Sequence, residues 1–224
     1  RSVPLILAAL SAGTAHAREV RIGILAVRGS ERAVQDFEPT IAHLGRSLPE
    51  HRFTMVPLDL TGITHAVAER TIDFVVTNPG DYVDLEARFG VTRLATLESR
   101  DRTQPTDSVG STVIAPNRPG RPLRLADLAH ARVAVVDDEA FGGWRVILRE
   151  LDDIGLGAGD LGALVETGFP MENVVAALRE GRADAGVVRT CLLEDEIARG
   201  SIGPDEFAVV GERKTAGFPC RLSS

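Results

Sequence analysis

In the first part of the chain, segments with the hydrophobic period of a strand alternate with segments that have the hydrophobic period of a helix. Residues 19–27 show an alternating apolar pattern that runs into a continuous apolar stretch, which predicts a largely buried strand. From residue 30 to residue 48 the apolar positions recur at steps of three and four, which predicts a helix. The alternation then predicts strands at 53–57, 72–77 and 91–97 and a helix at 61–70. A further helix is predicted to begin at Pro79, with Asn78 as its N-cap, and to end at Gly90 as a left-handed cap.

A second unit of the same kind comes after the charged and polar segment 98–108. It opens with the apolar run 109–115 and has predicted strands at 132–136, 161–167 and 183–188, with helices between them. Strands that alternate with helices form parallel sheets with right-handed crossovers. We therefore predict an α/β protein of two lobes, with residues 18–107 and 189–224 in the first lobe and residues 108–188 in the second.

The composition and net charge of the chain limit the classes of function that it can have. The chain has 224 residues, of which 44% are hydrophobic and 25% charged, as in an ordinary folded protein. Its formal net charge of −7 leaves no general basic face for the phosphates of a nucleic acid, so nucleic-acid binding is not expected. A small anion remains compatible with this charge, because a few backbone N–H groups and one arginine suffice to bind it.

Residues 1–17 have the features of a secretory signal peptide, with a basic first residue, an apolar run and small residues that end at Ala17. The alternative is a short helix or a tail. Export would place Cys191 and Cys220 in an oxidising compartment, where they form either a structural disulfide or a ligand-facing redox pair. Their spacing fits no metal site. No other stretch approaches the roughly 18 apolar residues that span a bilayer.

Four junctions between a strand and the following helix supply candidate binding residues. Backbone N–H groups and the helix dipole favour an anion at such a junction, and arginine adds a forked donor. Hydroxyl groups after Gly110, near the predicted crossing between the lobes, are further donors. The candidate ligand-binding residues are Arg28, Asn78, Tyr82, Ser111, Thr112, Phe141, Gly142, Gly143, Trp144, Arg189, Thr190 and Cys191.

Several of these candidates also have a purely structural interpretation. Asn78 and the following proline are typical of a helix start, and Gly142 with Gly143 suits a tight turn. Tyr82 and Trp144 are equally suited to a core and to the wall of a ligand site. Each interpretation stays open on the sequence alone.

Arg189 is the strongest single candidate, because a charge that comes after the buried strand 183–188 needs a partner. That partner is either a ligand or a carboxylate such as Glu194. The sequence contains no recognisable grouping of nucleophile, base and orienting residue. An enzymatic function therefore rests only on Cys191 as a thiolate at a helix N-terminus, and we predict none.

Five segments, taken together, resemble a known family: 21–26, 73–82, 140–144, 168–170 and 183–190. They resemble the phosphate, phosphite and phosphonate periplasmic substrate-binding family. The resemblance implies the type 2 periplasmic binding protein fold, in which two lobes, each with a mostly parallel sheet flanked by helices, enclose a ligand cleft. It also implies a periplasmic location and binding without a cofactor.

Within that family, segments 78–82, 188–190 and 217–220 look most like the periplasmic sensor regions of tetrathionate-type sensor histidine kinases. This implies a module that binds a small oxyanion and is followed by a membrane helix and kinase domains. Phosphonate binders often have a histidine where residues 170–172 read Pro-Met-Glu, which favours a sulfur oxyanion here, and a thiol pair can exchange with a polythionate. The alternatives are a solute-binding protein of a phosphonate transporter and a thiol-dependent enzyme acting on sulfur compounds.

Overall fold

The computed structural model describes residues 17–101, 104–214, 218 and 220–224, so the predicted signal peptide lies outside it except for Ala17. The strands in this part are β1 (Arg18–Leu25), β2 (His51–Leu58), β3 (Phe74–Val76), β4 (Ser99–Asp101), β5 (Gln104–Thr106), β6 (Ser111–Pro116), β7 (Arg132–Val135), β8 (Ala163–Glu166), β9 (Ala185–Arg189), β10 (Phe207–Val210), β11 (Glu212–Arg213) and β12 (Leu222–Ser223). The α-helices are α1 (Ser30–Ser47), α2 (Leu60–Ala68), α3 (Pro79–Phe89), α4 (Val146–Asp153), α5 (Glu172–Arg179) and α6 (Leu192–Arg199). Among the described helices, none has the length and apolar character needed to cross a membrane.

Two main sheets form the centres of the two lobes. The first has the order β2-β1-β3 and is parallel throughout. The second has the order β10-β6-β9-β7-β8, in which β7 runs parallel to β8 and β9 while β6 is antiparallel to both of its neighbours. Helices connect the parallel strands, as the alternation in the sequence predicted. The predicted α/β class with two mostly parallel sheets is confirmed.

Residues 91–97 do not form the predicted strand. This segment has an irregular backbone, and the side chains of Leu94 and Leu97 are 77% and 63% exposed. The neighbouring β3 offers little edge for another strand, because it spans only Phe74–Val76. Apolar residues at this spacing therefore stay at the surface instead of pairing.

After residue 188, where we placed the boundary between the lobes, no strand in the described part of the chain joins the first sheet. Strand β10 pairs with β6 at the edge of the second sheet, and Leu192 and Leu193 of α6 are buried in the core of the second lobe. The turn after β9 thus begins another strand-helix-strand unit of the same lobe. A buried strand followed by an amphipathic helix has the same pattern in either lobe, so the sequence did not distinguish them.

The second lobe has a core on each face of its sheet. Consecutive residues of a strand point to opposite faces, so Val113 and Val187 pack with Trp144 on one side while Ile114 and Val188 pack on the other. The first lobe has a smaller core of β1 residues against α1. These cores hold the loops at the carboxyl ends of the parallel strands in place.

Truncation of the second-lobe core should weaken the fold strongly. Leu151 is fully buried on α4, so Leu151→Ala is expected to lower the free energy of unfolding by about 2–5 kcal/mol. The matched control is Leu94→Ala, at a side chain that is 77% exposed, and its effect should stay within about 0.5 kcal/mol. Urea unfolding followed by circular dichroism measures both. Equal losses in the two variants would contradict this core assignment.

Candidate functional site

The carboxyl ends of the parallel strands of the two sheets meet, and the loops beyond these ends form the candidate site. The backbone N–H of Met171 donates to the carbonyl oxygen of Val27 at 3.4 Å, which joins the start of α5 to the end of β1. Gly80 at the start of α3 lies against Phe141, whose ring would be 2.7 Å from a Cβ at that glycine. The two lobes are therefore in contact, and loops after parallel strands are where α/β proteins bind ligands.

Two arginines from opposite lobes meet at one carboxylate in this region. Arg28, just beyond β1, places its Nη2 3.4 Å from the Oδ2 of Asp195, and Arg189, at the end of β9, places its Nη2 3.6 Å from the same oxygen. Asp195 lies in the first turn of α6 and is only 8% exposed. Among the described residues the buried Nε of Arg28 has no hydrogen-bond partner. The result is a compact, partly buried group of two guanidinium ions and one carboxylate.

The sequence did not single out Asp195. We had considered Glu194 as the alternative partner of Arg189, but Glu194 accepts a 2.8 Å hydrogen bond from the Nε of Arg221 instead. Adjacent residues on a helix point in directions about 100° apart, so only one of the two acids can face the arginines. The available signal was the position of Asp195, one helical turn after the junction at Cys191.

Three loops around Arg189 are bonded into one unit. Ser111 lies opposite Arg189 in the sheet, and its hydroxyl donates to the carbonyl oxygen of Gly142 at 2.9 Å. The N–H of Gly110 donates to the Oγ1 of Thr190 at 3.1 Å. A Cβ at Gly142 would lie 3.2 Å from both the Cβ of Arg189 and the oxygen of Gly110, so a glycine lets these loops approach closely. Ser111, Gly142, Arg189 and Thr190 thus lie close together, and the binding role predicted for them stays a prediction.

A cavity of about 260 Å³ has the opposite electrostatic character to the group of Arg28, Arg189 and Asp195. Its lining residues are Asp59, Leu60, Thr61, Asp137, Gly168 and Phe169. Burial, together with the neighbouring charges of Asp138 and Asp59, raises the pKa of Asp137. These carboxylates repel an anion, whereas the two arginines attract one.

A second cavity, of about 250 Å³, is not part of this site. It is lined by Arg118, Arg121, His130 and Asp184 among others, near the amino ends of β7 and β9. Strands β7 and β9 thus separate it from the loops that carry Arg189.

Residues 22–219 match the sequence profile of the family described as ABC transporter, phosphonate, periplasmic substrate-binding protein. The chain belongs to this phosphonate-binding family. Over 203 residues it is 34% identical to the tetrathionate sensor histidine kinase TtrS of Salmonella typhimurium. That alignment covers 91% of this chain and 34% of TtrS, so the chain spans about a third of the length of this relative.

Solved structures of phosphonate-binding proteins share the fold. A binding protein component of an ABC phosphonate transporter from Pseudomonas aeruginosa superposes with a TM-score of 0.66 at 13% identity, covering 91% of this chain and 67% of that one. PhnD1 from Prochlorococcus marinus, in complex with methylphosphonate, gives 0.67 at 14% identity, covering 86% and 71%. The type 2 periplasmic binding protein fold and the family resemblance are therefore confirmed.

Two of the predicted site residues in this phosphonate-binding family member have structural roles. Trp144 is 3% exposed and packs in the second-lobe core with Ile147 and Leu151, because it lies on the inner face of the helical turn that leads into α4. Thr112 points to the face opposite Ser111, where its hydroxyl donates to the carbonyl oxygen of Arg221 at 2.8 Å. Neither side chain faces the arginine group.

The predicted site residues at the start of α3 form hydrogen bonds within that helix. The Oδ1 of Asn78 accepts a 2.9 Å hydrogen bond from the N–H of Asp81, which makes Asn78 the helix cap. The hydroxyl of Tyr82 donates to Glu86 at 2.6 Å, one turn further along the helix, and this bond raises the pKa of Tyr82. Gly143 is buried, and a Cβ there would be 3.1 Å from the Cε of Met171. The binding role predicted for these residues stays a prediction.

Cys191 and Cys220 form a disulfide, with their Cα atoms 5.2 Å apart. Cys191 is 4% exposed and directly precedes α6, so the bond fixes the start of the helix that carries Asp195. The segment after Cys220 is held as well, since the N–H of Val113 donates to the Oγ of Ser223 at 2.8 Å. In this state neither thiol is available as a nucleophile.

Loss of this disulfide should destabilise the protein. The cysteines are 29 residues apart, and closing a loop of that size lowers the entropy of the unfolded chain, which corresponds to about 3–4 kcal/mol. The double variant Cys191→Ser with Cys220→Ser should show this loss in urea unfolding. Wild-type protein treated with a phosphine reductant should match it, while the variant should not respond to the reductant. A wild-type stability that does not change on reduction would contradict the prediction.

Proposed function

We propose that this chain is a periplasmic ligand-binding module that binds a small oxyanion between its lobes and serves as the sensor region of a membrane-linked histidine kinase. The observation that carries the proposal is the meeting of Arg28 and Arg189, from opposite lobes, at one carboxylate. A bound oxyanion would contact both lobes at once. It would thereby favour the closed arrangement by its higher affinity for that state.

The chemistry of the arginine group suits an oxyanion. Guanidinium groups present planar, forked donors that match the oxygens of a sulfonate, phosphonate or carboxylate. Partial burial strengthens these bonds, because less water screens the charges. The Nε of Arg28 is a buried donor without a protein partner in the described chain, and a ligand oxygen would satisfy it.

A sulfur oxyanion is the favoured ligand class. The 34% identical relative is a tetrathionate sensor. The backbone N–H of Arg189 lies 3.1 Å from the Sδ of Met171, so a thioether without a donor occupies the region where phosphonate binders often have a histidine. Tetrathionate carries a sulfonate group at each end, and one such group is the proposed partner of the arginines.

The second candidate is a solute-binding protein of a phosphonate transporter. The family description and the methylphosphonate complex of PhnD1 favour it. The full-length gene distinguishes the two functions, because a sensor has a membrane helix and kinase domains after this segment. The two functions also differ in ligand, which a binding assay resolves.

A thermal-shift screen tests the ligand class. Tetrathionate, thiosulfate, sulfite, phosphate, phosphite and methylphosphonate are compared, because a ligand that binds only the folded protein raises its melting temperature by mass action. We expect the largest shift with tetrathionate. A shift confined to methylphosphonate and phosphite would favour the transporter function, and no shift with any anion would contradict both functions.

Substitution of either arginine should abolish most of the binding. Arg28→Ala and Arg189→Ala each remove a charged hydrogen-bond donor, so the affinity for tetrathionate should fall at least about tenfold in isothermal titration calorimetry. The control is Arg149→Ala on the surface of α4, where the side chain is 71% exposed, and its affinity should match that of the wild type. Unchanged binding in both site variants would show that the anion binds elsewhere.

A further inference from the structure

We propose that Gly80 and Asp84 of α3, together with Arg145 of the facing turn Phe141–Arg145, are positioning residues for the anion site. They act by setting the fraction of the protein in which the two lobes are closed. This inference rests on the proposed function, because closure matters for binding only if the ligand lies between the lobes. It names residues that determine the affinity without a contact to the ligand.

Gly80 is the point at which α3 packs against the second lobe. A Cβ at this glycine would lie 2.7 Å from the Cδ2 of Phe141 and 3.3 Å from its Cβ and Cγ. Because the Cβ of Phe141 moves only with its backbone, rotation of the ring would not remove all of these contacts. An alanine at residue 80 therefore requires a shift of a few tenths of an ångström between the lobes, and a longer side chain requires more.

An ion pair joins the lobes one helical turn further along α3. The Nη1 of Arg145 donates to the Oδ2 of Asp84 at 3.2 Å. Asp84 lies four residues after Gly80, so both residues lie on the same face of the helix. The Nη2 of Arg145 also donates to Glu139, which belongs to the same lobe as the arginine. Glu139 thus holds the guanidinium in the second lobe, from where it reaches Asp84 only when the lobes are close together.

Arg145 also lies within electrostatic reach of other acids from both lobes. Burial raises the pKa of Asp81 in α3 and of Asp137 beyond β7, and the charge of Arg145 opposes that shift in both residues. Closure brings the acids of α3 toward Asp137 and Glu139, and like charges repel each other. The guanidinium of Arg145 offsets this repulsion, because it interacts with acids on both sides.

The turn Phe141–Arg145 also contacts the candidate site. The hydroxyl of Ser111 donates to the carbonyl oxygen of Gly142 at 2.9 Å, and a Cβ at Gly142 would lie 3.2 Å from the Cβ of Arg189. The turn therefore connects the loop that carries Arg189 with a helix of the opposite lobe. A ligand that bridges the lobes has an apparent dissociation constant equal to the intrinsic one divided by the closed fraction. Contacts that favour closure thus raise the affinity.

The test compares substitutions of Gly80 with the same substitutions of Gly45, a glycine of α1 where an added Cβ would meet nothing within 4 Å. In isothermal titration calorimetry, Gly80→Ala should weaken tetrathionate binding about threefold and Gly80→Leu at least about tenfold, because each lowers the closed fraction. Gly45→Ala and Gly45→Leu should bind like the wild type. Alanine favours a helix more than glycine does, so urea unfolding should show no loss of stability in either alanine variant.

Asp84→Asn tests the ion pair. The side chains of Arg145 and Asp84 are 34% and 51% exposed, so the affinity for tetrathionate should fall only about two- to fivefold relative to the wild type. This difference should shrink in about 1 M salt, which screens exposed charges. The control is Asp36→Asn, at an acid that pairs with Arg32 within α1, and its affinity should match that of the wild type.

A Gly80→Leu variant that binds tetrathionate as tightly as the wild type would overturn the inference, and so would equal losses at residues 80 and 45. Small-angle X-ray scattering of the ligand-free proteins separates the two proposals. Gly80→Leu should have a larger radius of gyration than Gly45→Leu, and equal radii would reject the role of Gly80 even if no anion binds. Failure of the wild type to bind tetrathionate or any other oxyanion would instead reject the proposed function.

Discussion

The ion pair between Arg28 and Asp195 is the contact on which the candidate site depends, because it brings together charges that the two sheets hold separately. Arg28 is fixed by the end of β1 in the first lobe, and Asp195 by α6 in the second. Arg189 joins them at the same carboxylate oxygen. Arg28 and Asp195 are 167 positions apart in sequence, and they form one charged group with Arg189 only because the carboxyl ends of the two sheets meet.

The rest of the second lobe supports this arrangement. The antiparallel register of β6 and β9 places Ser111 and Arg189 opposite each other, at the start of β6 and the end of β9. A glycine at 142 allows the helical turn before α4 to approach them closely. The disulfide between Cys191 and Cys220 then fixes the start of α6. Each of these features acts on the backbone near Arg189 or Asp195, so the position of the charges results from the packing of the backbone around them.

Much of the fold could be predicted from the periodicity of the sequence. The strand before α3, the proline-containing start of this helix and the glycine at its end were all predicted, because a cap and a left-handed residue are local features. The predictions of a strand at 91–97 and of a lobe boundary at 188 were wrong. Both depend on which distant strand a segment pairs with, and the local sequence pattern does not contain that information. The glycines and hydroxyl groups at the strand ends were predicted together as candidate ligand-binding residues. The face of the sheet to which Thr112 points depends on the register of β6, which the local pattern does not give.

The site shows the same division between local and distant causes. Arg189 was predicted to be a candidate ligand-binding residue because a charge after a buried strand needs a partner, and this is true in any fold. The identity of the partner depended on the rotation of α6, which turns Asp195 toward the arginines and Glu194 toward Arg221. That rotation results from the burial of Leu192 and Leu193 in the core of the second lobe. The apolar face of a short helix thereby determines which of the two acids faces the arginines of the candidate site.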